Sequence, residues 1–224
     1  MQSLALLRLQ QLADSAFPIG GAAHSFGIET LVEGGLLNVE GLVPFLEDYL
    51  HETGTLEAAY CAASCTLPDF SQWLRWNAEL GARKLARESR DASAAMGRRF
   101  LRLAANMSGS ALLMKALDVV AESGTEVHLA ASFGLVAGTL EIDPSTAAAA
   151  YLQQSITALV SACQRLLPLG QTQAHQILWC LKLAIVRAAE IGSARVPAQI
   201  SSFMPLLEVA SARHATQYTR LFMS

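Results

Sequence analysis

The chain has 224 residues, 52% of them hydrophobic and 16% charged, with a mean hydropathy of +0.33. That is too apolar and too weakly charged to stay disordered, and the length is enough to bury a sizeable core. With 16 Lys and Arg against 19 Asp and Glu, the net charge is −3 and the pI about 5.9, which leaves no overall basic field for a nucleic acid. The four cysteines, Cys61, Cys65, Cys163 and Cys180, lack the density of a secreted disulfide framework and fit a reducing cytoplasm.

In chain order, residues 1–15 read as a helix. Leu4, Leu6 and Leu7 are interrupted by Arg8, Gln10 and Gln11, so no signal-peptide apolar region is present. Phe17, Pro18, Ile19, Gly20 and Gly21 then break the helix. Val39, Leu42, Val43, Leu46, Tyr49 and Leu50 form one helical face after Asn38, a good N-cap, with Pro44 marking a kink or a later start. Residues 57–67 suggest a helix that places Cys61 and Cys65 on one face.

Asp69 is positioned to cap a helix through Gln72, Trp73, Trp76 and Leu80, and Asp143 followed by Pro144 is a second helix start. Residues 144–164 form the longest uncharged stretch. Ser145, Thr146, Gln153, Gln154, Ser155 and Ser161 make it a poor membrane span. Ile177, Leu178, Leu181, Ala184, Ile185 and Ala188 give the clearest helical stripe, with Gly192 standing where that helix would stop. No segment alternates like a strand, and Ala and Leu dominate. The expectation is an all-α, single-domain bundle of about eight to eleven helices without significant sheet.

Several segments suggest chemistry. The run from Gly20 and Gly21 through His24 and Ser25 to Gly27 lacks the Gly-Lys-Ser/Thr ending of a phosphate loop, so no nucleotide is expected there. Ser25 sits almost as in a nucleophile elbow, with His24 and Asp14 as notional triad partners, but the elbow needs a preceding strand. The plainer reading makes Ser25 the cap of a helix that begins near Gly27 and includes Glu29.

Cys61 and Cys65 would begin a soft-metal site, yet nothing nearby completes four ligands, so buried thiols are the better reading. The histidines (24, 51, 128, 175 and 214) have no partners at metal-ligand spacing. Arg98, Arg99 and Arg102, after Arg87 and Arg90, form a basic helix face that is either solvated or a contact for an acidic partner. The last residues, from Arg213 and His214 through Gln217 and Tyr218 to Arg220, Leu221 and Phe222, carry anchor-type side chains that pack either on the core or on a partner.

These residues carry a resemblance. The run from Leu12 through Asp14, Pro18, Gly20 and Gly21 to His24, Ser25, Gly27 and Glu29 resembles the opening signature of the urease accessory protein UreF family. Residues 89–103, centred on Met96, Gly97, Arg98 and Arg99, agree with it, as do residues 165–171 and 213–224. In the last of these, Thr219 and Met223 stand where the family usually has Ser and Arg, which leaves Arg220 alone.

The resemblance implies an all-α, homodimeric, cytoplasmic protein with no catalysis of its own. It implies a complex with UreD (also UreH) and the GTPase UreG that delivers nickel to apo-urease. Nickel is then handled by the complex, GTP is bound by UreG, and no cofactor is held tightly. Neither nucleic acid nor membrane is an expected partner. Residues 213–224 would be the partner-docking segment, becoming ordered on binding. The loop with Pro18, Gly20, Gly21, His24, Ser25, Gly27 and Glu29 would lie near the dimer or partner face.

Overall fold

The computed structural model describes residues 2–67 and 69–224; Met1, which opens the first predicted helix, lies outside them. The helices are α1 (Gln2–Leu12), α2 (Ile28–Glu33), α3 (Leu42–Tyr49), α4 (Thr55–Cys65), α5 (Phe70–Arg83) and α6 (Arg87–Ser108). They continue as α7 (Ala111–Ser123), α8 (Leu129–Thr139), α9 (Pro144–Leu166), α10 (Gln171–Cys180), α11 (Lys182–Ser193) and α12 (Pro205–His214). A π-turn at Leu50–Gly54 joins α3 and α4 into one rod, so the described residues form eleven rods and no strand. The fold is all-α, as the residue pattern requires.

Capping chemistry sets several boundaries. Asp69 accepts from Gln72 N at 2.7 Å and starts α5; Asp143 accepts from Thr146 N at 2.9 Å ahead of Pro144 and starts α9. Asn38 accepts from Gly41 N at 2.9 Å, and the helix begins only at Leu42. The later start is correct because Pro44 then falls in the first turn, where a missing N–H is harmless.

One expectation needs correction. The stripe from Ile177 to Ala188 is interrupted at Leu181, whose ψ of −4° separates α10 from α11. The interruption leaves Ile177, Leu181, Ile185 and Ala188 buried together, so apolar spacing does not reveal it. Gly192 stands, as expected, at the end of its helix, one residue before α11 stops at Ser193, but it is not a left-handed cap. An added Cβ there would be 2.7 Å from both Ala58 Cβ and Thr55 O, so its role is to let α11 approach α4.

The core is centred on α4, which packs against α8, α9 and α11. Residues 55–62 of α4 and 129–137 of α8 are all buried. Both helices are covered on every side, as central helices of a bundle are. Gly134 and Gly138 of α8 cross the backbone at Cys61 and Cys65 so closely that a Cβ would collide with their carbonyls. Among the described residues, no helix is long and apolar enough to cross a membrane.

Candidate functional site

The loop between α1 and α2 is fixed from below by Phe17 and Ile19, both buried, and Phe17 meets Phe100 edge-on at 5.4 Å. It turns through two left-handed residues, Phe26 at φ 53° and Gly27 at φ 91°. Glycine is required at the second, where a Cβ would lie 2.9 Å from Ser211 N in α12. A positive φ at a phenylalanine is strained and persists only when its surroundings hold it.

What holds it is the C-terminal segment. Ser25 N–H, Phe26 N–H and the Ser25 hydroxyl all donate to the main-chain oxygen of Ser224, at 2.5, 3.1 and 2.9 Å. His24 Nδ1 lies 2.8 Å from Ser224 Oγ, and Met223 N–H donates to Ala23 O at 2.8 Å. Ser25 therefore caps α2 only weakly, with Glu29 N 3.5 Å from its oxygen. The notional hydrolase triad does not assemble: His24 turns to Ser224, and Asp14 Oδ1 accepts from Ala16 N at 2.8 Å.

Glu29, in the first turn of α2, is buried and accepts three hydrogen bonds. They come from Leu221 N at 2.6 Å, Phe222 N at 3.1 Å and His214 Nε2 at 2.7 Å. Burial alone would raise the Glu29 pKa. The bonds from His214, Leu221 and Phe222 outweigh it and hold the carboxyl below its usual range. The other His214 nitrogen, Nδ1, is 2.8 Å from Glu88 Oε2, and Glu88 Oε1 accepts from Arg220 Nη1 at 3.1 Å. Gln217 Nε2 donates to Glu33 at 2.8 Å.

Phe222 is buried beneath Arg165, whose guanidinium sits 4.2 Å from the ring centroid and donates to Ala22 O at 2.9 Å. Tyr218, Leu221 and Met223 point outward and are exposed. Of the two readings left open for this segment, the structure has it packed on its own core. His24, half-buried, is pushed below the ordinary histidine value by burial and then by Arg99. Arg99 Nη1 lies 3.5 Å from Ile19 O, and Arg98 is exposed.

Other expected chemistry falls elsewhere. Burial pushes the Cys61 thiol well up and the Cys65 thiol to about 11; Cys65 donates to Ile142 O at 3.2 Å. Among the described residues no group of three His, Cys, Asp or Glu side chains is placed to hold a metal ion. Sequence reasoning missed Glu88, Glu33 and Arg165, although Arg165 opens one of the matching segments. It also missed the buried Glu57, which pairs with Lys84 and accepts from Tyr151 Oη at 2.6 Å. That cluster borders a cavity of about 320 Å³ reaching from Tyr49 to Phe222.

Residues 12–29 and 213–224 are thus folded into one surface. A family model described as UreF matches residues 36–182. The chain is 34% identical to the urease accessory protein UreF of Nostoc sp., over 97% of its own length and 95% of the relative's. It is 30% identical to that of Lachnoclostridium phytofermentans over 98% of both chains, and 32% identical to that of Dechloromonas aromatica over 99% and 98%.

The chain belongs to the UreF family. The region matched by the UreF model is the helical body, α3 to the start of α11. Residues 12–29 and 213–224 of the candidate site lie outside it, and the similarity to the UreF relatives extends over 97% and 98% of the chain.

Proposed function

We propose that this UreF-family chain is a urease accessory protein, a chaperone of metallocentre maturation and not an enzyme. It works as a cytoplasmic homodimer that joins UreD (UreH) and the GTPase UreG to deliver nickel to apo-urease. Nickel is cargo of the complex, GTP belongs to UreG, whose hydrolysis the complex couples to delivery, and this chain keeps no tight cofactor.

The observation that carries this reading is the docking of residues 213–224 onto the loop between α1 and α2. Both segments carry the family resemblance, and they meet through Glu29, His214 and Ser224. Arg213, His214, Gln217, Tyr218, Arg220, Leu221 and Phe222 serve partner binding in two ways. His214, Gln217, Arg220 and Phe222 hold the segment down, which leaves the exposed Arg213, Tyr218 and Leu221, with Met223, facing a partner. A segment already ordered spares the complex part of the free energy of ordering it. Pro18, Gly20, Gly21, His24, Ser25, Gly27 and Glu29 form the platform beneath.

The test is size-exclusion chromatography with light scattering on the chain co-expressed with UreD and UreG, comparing the full-length form with one ending at Thr216. Co-elution of the full-length form, lost on truncation together with urease activation, supports the proposal. A truncated chain that still assembles and activates urease overturns it, as does a folded full-length chain that binds neither partner.

A further inference from the structure

Arg98, Arg99 and Arg102 lie on one face of α6, and Arg165 ends α9; all four are exposed. Arg99 and Arg165 approach the same loop from different helices, at Ile19 O and Ala22 O. None of the four takes part in an ion pair among the described residues. The segments that build this face, residues 15–28, 92–108 and 144–166, contain no Asp or Glu. Arg99 and Arg165 thus meet at one loop, with Arg98 and Arg102 on the adjoining face of α6, and the segments that carry all four hold no carboxylate of their own in a chain whose net charge is −3.

We infer that this arginine face, beside the docked C-terminal segment, is a recognition surface for a protein surface rich in Asp and Glu carboxylates. Guanidinium forks bind carboxylates bidentately, and among the described residues the exposed guanidiniums of Arg98 and Arg102 make no side-chain hydrogen bond that would occupy them. Carboxylates fit better than a nucleic-acid backbone. About four phosphate contacts give little affinity at physiological salt, least of all beside an otherwise acidic chain. The surface deepens the accessory-protein reading by naming the chemistry of the partner, and depends on that reading only for which partner is assayed.

Two measurements separate the inference from that reading. The first passes the full chain over immobilised poly-L-glutamate at about 50 mM and about 500 mM NaCl, concentrations on either side of a Debye length of about 10 Å. Wild type is retained at the lower salt and released at the higher, whereas Arg98→Glu with Arg102→Glu flows through. The control, Arg75→Glu with Arg195→Glu, makes the same charge change at exposed positions elsewhere and is retained. Failure of wild type to bind overturns the inference, as does equal loss in the control or stronger retention on duplex DNA.

The second measures association with the UreD–UreG pair. Reversal at Arg98 and Arg102 slows it by about tenfold at low salt and little at high salt, the pattern of steering by charges at an interface rim. An unchanged rate and salt slope, with wild type binding, overturns the inference. Retention on polyglutamate without binding to UreD–UreG supports the arginine surface while counting against the accessory-protein reading.

Discussion

Glu29 and His214 meet at 2.7 Å across 185 positions of sequence, both withdrawn from solvent. The carboxylate stands in the first turn of α2 and the imidazole in the last turn of α12, so the carboxylate complements the dipole of its own helix. Around the pair, two main-chain N–H groups of residues 221 and 222 close on the same carboxylate. A single acidic side chain thereby ties residues 214, 221 and 222 to α2.

Replacing it tests that statement. Glu29→Gln is nearly isosteric but replaces one acceptor oxygen by an NH2 group, so a buried donor among His214, Leu221 and Phe222 loses its acceptor, which costs about 1–3 kcal/mol. The loss falls on docking of residues 213–224, because the core around α4 does not depend on Glu29. Amide exchange at Leu221 and Phe222 should rise steeply while the helical body keeps its protection. Unchanged exchange at those two amides would show that the pair does not hold the segment.

Acid should release the same segment in two stages. His24 is held below 6.5, the ordinary histidine value, so the folded form binds fewer protons than the unfolded chain. Its contribution is complete above pH 6.5 and is lost as pH falls through the lower folded value. Glu29 is held below 4.5, the ordinary value for glutamate, and its contribution is complete above that pH and lost on further acidification. Docking followed by NMR at Tyr218 should therefore weaken from pH 6.5 downward and fail below 4.5. Loosening on going from neutral to mildly alkaline pH would contradict this assignment.

Local chemistry was legible in the sequence, and long-range chemistry was not. Asp69 and Asp143 announce their helices because a cap and its N–H partner are three residues apart. Leu181 hides its helix break because the break preserves the buried face. Gly192 reads correctly as standing at a helix end, but that it also admits a neighbouring helix is hidden until Ala58 is seen against it. The Ser25 hydroxyl finds its acceptor 199 residues away, and Glu57 finds Tyr151 at 94; no periodicity encodes either. Leu221 and Phe222 are recognisable as anchors, but which of them faces inward depends on a loop at the other end of the chain.

Thiol labelling tests the packing around the core. Burial pushes Cys61 well up, Cys65 to about 11 and Cys163 to about 12, so none of them presents much thiolate near neutrality. Cys180 is the exposed thiol on α10. Iodoacetamide applied to the native protein should modify Cys180 rapidly and the other three only after denaturation. Rapid modification of Cys61 in the native state would mean that the crossing of α4 and α8 is looser than described.

The two faces of the C-terminal segment should separate stability from assembly. Tyr218, Leu221 and Met223 are exposed and, among the described residues, make no side-chain hydrogen bond, so alanine at all three should change stability by no more than about 0.5 kcal/mol. If these side chains are the partner-facing anchors, the same triple variant should lose about 2 kcal/mol or more of affinity for UreD–UreG. Phe222→Ala removes the buried ring under Arg165 and should undock the segment, raising exchange at residues 221–224. It should then weaken assembly indirectly, and restoring the ring with Phe222→Tyr should recover much of both properties. An exposed-face variant that assembles normally, beside a Phe222→Ala chain that does not, would move the partner contact from the outward side chains to the platform that the docked segment completes.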